Sequence, residues 1–247
     1  MDNKYLVIIP TYNEKENIEK IITQVIQLGF CVLVIDDNSS DGTGEILDKL
    51  RATSCSSSLA NATPNIGIFN KLQVIHREKK LGLGTAYIRG FKWALEGDFD
   101  FIFTMDADFS HNPQYFLEFI KKLEVCDLVV GSRYTKGGGN SMPIRRKIIS
   151  RLGNLYAKTI LQIPISDCTS GFMGFRRKVL EKINLDEVKS EGYGFLVEMK
   201  YRIYKLGYKI LECPIFFSDR VQGISKISKN IIWEAIFLVW KLKIKYL

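Results

Sequence analysis

The sequence predicts a mixed α/β fold in one domain, with a mostly parallel central sheet flanked by helices. Three observations carry this. A chain of 247 residues is long enough to bury a full core. Strand-like apolar runs alternate with stretches of helical spacing, the βαβ order that builds a parallel sheet. Several of the runs end in carboxylates or arginines, and open α/β sheets collect their ligands beyond the carboxyl ends of strands.

In order, KYLVIIP at 4–10 is a continuous apolar run of the kind buried on both faces of a parallel sheet. Residues 14–28 place Ile18, Ile21, Ile22, Val25 and Ile26 at helical spacing. FCVLVIDD at 30–37 is a second strand, and NSSDGT leads into a helix reaching about Arg51. Residues 53–70 begin TSCSSSLANATPN, rich in Ser and Asn without periodicity, and read as a surface insertion open to disorder. KLQVIH at 71–76 resumes the sheet, GLGTAYIRGFKWAL at 82–95 is a helix with a glycine-rich start, and DFDFIFTM at 98–105 is a further strand. After a helix over 112–123 come DLVVGSR at 127–133, a helix from 145 onward, SGFMGFRR at 170–177, a helix over 194–206 and YKILECPIFF at 208–217. A basic amphipathic helix over 224–247 closes the chain.

Lys and Arg outnumber Asp and Glu by 35 to 27, so an anionic partner is expected. The charge is unevenly spread: residues 128–166 hold no acid but contain Arg133, Lys136, Arg145, Arg146, Lys147, Arg151 and Lys158. Within that stretch Ile148, Ile149, Leu152, Leu155, Tyr156 and Ile160 have amphipathic spacing. Such a helix either packs its apolar face on the sheet with its lysines solvated, or lies on a membrane surface facing anionic headgroups. Nucleic acid is not expected, because strands interleaving aromatic and basic residues are missing and paired aspartates repel a phosphate backbone. Five scattered cysteines without a C-x-x-C point to a reducing compartment. No secretory leader is read at the start, and IIWEAIFLVW at 231–240 is too short to span a bilayer.

The chemistry gathers at strand ends. Asp106 and Asp108 close an apolar run, and two carboxylates that near need a cation between them, for which Mg2+ or Mn2+ is the oxygen-loving choice. If the strand continued through them, alternation would point both the same way past Ala107. Asp37 falls where an acid grips a ribose, but the G-x-G-x-x-G of dinucleotide sites does not follow the first strand, which disfavours a dehydrogenase. LGLGTA at 81–86 serves helix packing as well as phosphate contact.

IIPTYNE, VIDDNSSDGT, LGLGTAYIRG, MDADFSH, GSRYTKGG, RRKIISR, DCTSGF, GYGFLVEM and DRVQGISK follow one another in this order along nearly the whole chain. The set resembles the polyprenol-phosphate (dolichyl-phosphate) mannosyltransferases, inverting glycosyltransferases of GT-A type in family 2. The resemblance implies a GT-A nucleotide-sugar-binding fold, GDP-mannose as donor, Mg2+ or Mn2+, and dolichyl (polyprenyl) phosphate as acceptor. It implies Pro10, Tyr12, Glu14, Ile35 and Asp37 at the nucleotide, and Asp106, Ala107 and Asp108 at the metal and diphosphate. Arg220 and Lys226 would close on the diphosphate, Arg133 would serve both phosphates, and Arg146 and Ser150 would meet the acceptor phosphate. Catalytic weight falls on Asp108, Arg133, Arg220 and Lys226. Ser110 departs from one branch, which carries Gln there. The resemblance further implies a peripheral enzyme at the cytoplasmic face of the endoplasmic reticulum, small membrane-protein regulatory subunits, and a dolichyl β-D-mannosyl phosphate product used in glycosylation and GPI anchor assembly. A UDP-glucose-dependent polyprenyl-phosphate glucosyltransferase and a non-catalytic anionic-surface binding module are the other readings.

Overall fold

The computed structural model describes residues 3–55, 71–219 and 229–246. Internal contacts gather the chain into two compact units, Met1–Phe109 and Ser110–Leu247.

The first unit contains β1 (Tyr5–Thr11), α1 (Ile18–Gln27), β2 (Cys31–Asp36), α2 (Thr43–Cys55), β3 (Leu72–His76), α3 (Leu83–Glu96) and β4 (Phe101–Thr104). Its strands lie in the order β3-β2-β1-β4, every pair parallel. Leu6, Val7, Ile8 and Ile9 of β1 are fully buried, because the strand is central and both of its faces are covered. Each such side chain contributes about 1.5–3 kcal/mol of burial. α1 buries the five expected aliphatics and stops before Gly29, whose φ of +97° takes the left-handed conformation that ends helices. α2 runs on to Cys55, past the end expected near Arg51; residues 56–70 of the expected insertion lie outside the described residues.

The second unit contains α4 (Tyr115–Leu123), β5 (Leu128–Ser132), β6 (Gly139–Asn140), α5 (Ile144–Leu161), β7 (Met173–Arg176), α6 (Arg177–Lys182), α7 (Gly192–Lys205), β8 (Ile210–Pro214), β9 (Phe216–Phe217) and α8 (Lys229–Lys245). β5 pairs in parallel with β8 and antiparallel with β7, and β6 and β9 form a short parallel ribbon. The run expected as one strand over 208–217 is therefore two, parting at Ile215, whose N–H donates to Ser132 O while its carbonyl accepts from Gly139. Pro214 ends the longer ladder, as a residue without an N–H does. Four described cysteines, Cys31, Cys126, Cys168 and Cys213, are free thiols.

α5 differs from the first of its two expected arrangements. Its buried stripe is Asn154, Ala157 and Leu161, while Ile144, Ile148, Ile149, Leu152 and Leu155 face outward. α8 packs beside it and also turns Phe237, Trp240 and Ile244 outward while burying Val239 and Leu242, so among its described side chains no single face holds the apolar residues. Among the described residues, no helix is long and apolar enough to cross a membrane.

Gly90 of α3 seats that helix on β1: a Cβ there would lie 2.6 Å from Ile8 Cγ2. Alanine gains about 1 kcal/mol of helix propensity, but overpacking a rigid branch point costs roughly 1–3 kcal/mol. Gly90→Ala is expected to lower the urea midpoint at unchanged m-value; a raised midpoint would contradict this packing.

Candidate active site

In the first unit β1 and β2 end level, with Pro10 opposite Ile35 and Thr11 opposite Asp36. The β1–β4 ladder stops at Ile8 and Thr104, two positions short of Pro10, so the missing N–H breaks no bond on that side. Past the strand, Tyr12 exposes its ring beneath Lys80 Nζ, 3.8 Å from the centroid. Asn13 sits at φ +60° and is pinned twice, its N–H to Ser39 Oγ at 2.9 Å and its Oδ1 to the Ser40 N–H at 2.9 Å. The Glu14 N–H donates to Thr43 Oγ1 at 3.0 Å. Thr11 Oγ1 is buried with no hydrogen-bond partner among the described residues. A buried hydroxyl left unpaired costs about 1–3 kcal/mol.

Asp37 is more committed than its sequence position implies. Its carboxylate accepts from the Leu81 and Gly82 amides at 3.3 and 3.2 Å and pairs with Arg77. Arg77 also donates to Thr85 Oγ1 at 2.7 Å and to Gly82 O at 3.0 Å. The glycine-rich stretch therefore enters α3 under the control of an ion pair.

Asp106 and Asp108 lie in a turn beyond β4, which ends at Thr104, so strand alternation does not set their direction. What relates them is Tyr87 of α3: burial, then the charges of Asp106 and Asp108, push its hydroxyl well above the ordinary phenol range. Phe109 follows at φ +59°, a left-handed conformation that costs a bulky residue about 1–3 kcal/mol and persists only where the surroundings enforce it. Among the described residues no group of three or more His, Cys, Asp or Glu is placed to hold a metal. Two hard carboxylates fit Mg2+ or Mn2+ bound chiefly through a nucleotide's phosphates, since Mg2+ typically takes one or two carboxylates and leaves its remaining positions to water and substrate.

In the second unit Arg133 follows β5 and is nearly buried. Its Nε donates to Asp167 Oδ2 at 2.7 Å, and its Nη2 to Asp167 Oδ1 at 2.8 Å and Thr169 Oγ1 at 2.9 Å. Its guanidinium carbon stands 5.3 Å from the Tyr134 ring centroid and 5.2 Å from that of Phe217. Burial opposes both charges, yet the paired hydrogen bonds outweigh it, raising the Arg133 pKa and lowering that of Asp167. Tyr134 OH donates to Ser150 Oγ at 2.7 Å, and Arg146 Nη1 to Asp219 Oδ1 at 2.7 Å. Arg133, Arg146 and Ser150 thus sit in one network-rich region of the second unit, each with a protein partner already.

Asp167, Thr169, Asn154, Tyr134 and Arg77 had no role assigned from sequence. The signal for Asp167 was present, since it is the first acid after the acid-free basic stretch. Glu198 accepts from Ser190 Oγ at 2.5 Å and Arg202 Nε at 2.8 Å, and His111 stacks on Phe172 with centroids 4.7 Å apart. Arg220 and Lys226 lie outside the described residues.

Comparison with known proteins assigns the chain to a class, the glycosyltransferases. Residues 6–184 match the Glycosyl transferase family 2 model, and the chain belongs to that family. It is 40% identical over 240 residues to the polyprenol monophosphomannose synthase of Mycolicibacterium smegmatis, covering 95% of this chain and 84% of that one. It is 39% identical over 236 residues to the undecaprenyl-phosphate mannosyltransferase of Micrococcus luteus, covering 94% and 91%. The fold is that of GT-A glycosyltransferases: glucosyl-3-phosphoglycerate synthase of Mycobacterium tuberculosis, solved with Mn2+, UDP and glucosyl-3-phosphoglycerate, aligns at a TM-score of 0.63 and 17% identity over 99% of this chain and 80% of that chain. TarS of S. aureus, solved with UDP, aligns at 0.55 and 17% identity over 97% and 65%.

Beneath the Asp167 loop, Lys200 is fully buried and donates to Cys168 O, Ser170 O and Leu196 O at 3.0, 2.6 and 3.3 Å. Burial lowers its pKa from 10.5 to about 8. Below pH 8 both folded and unfolded chains carry this proton and the cost of burying the charge is fully present; between pH 8 and 10.5 the unfolded chain binds more of it, so stability rises with pH. Urea melts of wild type and Lys200→Met across that window are expected to show wild type gaining stability relative to the variant, and a constant difference would contradict the shift.

Proposed function

We propose that this protein transfers mannose from GDP-mannose to a polyprenyl phosphate with inversion, forming a β-mannosyl phosphoryl polyprenol, and that the whole chain works as one GT-A domain. The observation that carries this reading is the identity of 39–40% across nearly the whole chain to two enzymes named for polyprenyl-phosphate mannosylation. An oxygen of the acceptor phosphate bonds to the anomeric carbon as the bond from that carbon to the diphosphate breaks, and GDP leaves. The nucleophile is ionised at neutral pH, so no general base is needed. What the chain must supply is stabilisation of charge on both phosphates.

Pro10, Tyr12, Glu14, Ile35 and Asp37 hold the nucleotide, Asp37 while also fastening the 81–82 turn. Asp106 and Asp108, spanning Ala107, hold Mg2+ or Mn2+ with the donor diphosphate, and such an ion supplies Lewis-acid stabilisation of the leaving group. Arg220 and Lys226 add positive charge to the same diphosphate. Arg133, Arg146 and Ser150 receive the acceptor phosphate, arginine's planar fork matching phosphate better than a lysine point charge does. Asp219 is the group the acceptor must displace from Arg146.

The acceptor's tail stays in a bilayer. The outward aliphatics of α5, interleaved with Arg145, Lys147 and Arg151, and the outward Phe237 and Trp240 of α8 support peripheral attachment to an anionic leaflet. The dolichyl form of the acceptor, saturated in the isoprene unit next to the phosphate, carries with it the cytoplasmic face of the endoplasmic reticulum, small membrane subunits and supply of glycosylation and GPI assembly; the undecaprenyl form, unsaturated in that unit, carries a bacterial membrane.

The test is a transfer assay with the purified chain, Mg2+ or Mn2+, GDP-mannose or UDP-glucose, and short dolichyl or undecaprenyl phosphates, with the lipid product identified by mass. Mannosyl phosphoryl lipid from GDP-mannose supports the reading, and glucosyl product from UDP-glucose alone overturns the donor. Asp108→Ala is expected to reduce transfer at least about 1,000-fold, on the scale of removing a principal electrostatic group. Arg146→Ala is expected to raise the KM for polyprenyl phosphate roughly 10-fold or more with the KM for GDP-mannose little changed; an unchanged acceptor KM would move the acceptor site elsewhere.

A further inference from the structure

Arg133 is held before any substrate arrives, and the means of holding it lies in residues 166–170. The Ser166 and Asp167 amides donate to Glu212 Oε1 at 2.9 and 3.1 Å. The carbonyls of Cys168 and Ser170 accept from buried Lys200. The Thr169 N–H donates to Asn154 Oδ1 at 3.1 Å, and Asn154 Nδ2 donates back to Thr169 Oγ1 at 3.1 Å and to Ser150 O at 2.8 Å. Asp167 itself is fully buried, and besides its fork on the side chain it accepts the Arg133 backbone N–H at 3.0 Å. An irregular segment tied at nearly every position is far more ordered than a connection requires. Asn154 is moreover a polar residue in the buried stripe of α5, where packing alone would favour an aliphatic side chain.

The donors that remain follow from the bonds already made. The fork takes Nε, and Asp167 and Thr169 take Nη2, so Nη1 of Arg133 donates to no described residue. Tyr134 gives its hydroxyl proton to Ser150 Oγ, which leaves the Ser150 proton to be given onward. Arg133 Nη1 after β5 and the Ser150 hydroxyl on α5 thus donate to no described residue, and Asn154 with Thr169 bridges the elements that carry them.

We infer that Asp167 is a positioning residue for recognition of a phosphate monoester: it fixes the Arg133 guanidinium so that Nη1 is presented to the acceptor phosphate, and Thr169 with Asn154 holds Ser150 in register with it. This rests on the polyprenyl-phosphate reading above. The pair accounts for a cost otherwise unexplained, since a buried ion pair is often no more stable than apolar residues of the same volume. A donor held in advance also loses little entropy when a ligand binds to it.

The experiment is steady-state kinetics of Asp167→Asn, Arg133→Lys and the double variant, with short-chain polyprenyl phosphate varied at saturating GDP-mannose and the reverse. The amide places an N–H against an N–H of the fork, so Asp167→Asn is expected to raise the acceptor KM about 10-fold or more, with the donor KM within about twofold. In the Arg133→Lys background the same change is expected to add less than about twofold, because the fork is already lost. A purely structural Asp167 would instead lower active enzyme and leave the acceptor KM untouched; that result, or full multiplicative effects in the double variant, overturns the inference. If Asp167→Asn does not fold, Thr169→Val, which keeps the fork and its volume, is expected to raise the acceptor KM roughly threefold, and an unchanged value overturns the inference equally. A wild type that transfers to no polyprenyl phosphate removes the function reading. Titration with citronellyl phosphate then decides the inference alone, supported by binding about tenfold weaker in Asp167→Asn and overturned by equal or absent binding.

Discussion

The buried pair of Arg133 and Asp167 is the interaction on which the ordering of residues 166–170 depends. Taking two charges out of water costs several kcal/mol per ion, and here that cost is offset by a two-bond fork, a third bond to Thr169 and a backbone bond from Arg133 back to the carboxylate. The loop beneath is fastened by Glu212 on one side and Lys200 on the other. A glycosyl transfer between two phosphates must hold two anions near each other, and fixed positive charge in a water-poor setting is the physical remedy.

The first unit is built by a different device: its strand ends are aligned and the turns beyond them carry polar groups. The level ends of β1 and β2, the double pinning of Asn13, and the hold of Asp37 and Arg77 on the 81–82 turn all fix backbone rather than reach outward. The left-handed Phe109 stores strain just after the carboxylates. Negative charge is concentrated at Asp106 and Asp108, which suits a cation shared with a diphosphate and would otherwise repel that ligand.

Much of this was legible in the sequence where signals were local. β1, β2 and α1 were readable because continuous apolar runs and a 3.6-residue period are set by burial on two faces or one. The carboxylate pair stood out at the end of such a run. Other features depend on contacts far apart in the chain and leave no local trace. The two-residue β6 and β9 are too short to carry a period, and the partner of Arg133 lies 34 residues on. α5 reads as amphipathic in either setting, and only the fold reveals that the buried side is the one with Asn154 and Ala157. The aliphatic side remains outward. The strand argument for Asp106 and Asp108 failed because β4 stops at Thr104, an end that pairing with Ile8 determines.

The central claim is that the acceptor is recognised as a phosphate monoester. It is tested most directly by offering the purified enzyme, with GDP-mannose and Mg2+, an equimolar mixture of a polyprenyl phosphate and the polyprenol of the same chain length, and weighing the products. The account predicts mannosyl phosphoryl lipid alone, with the free alcohol untouched. Mannosyl polyprenol lacking phosphate would show that the lipid, not the phosphate, is what the protein reads, and would contradict the account.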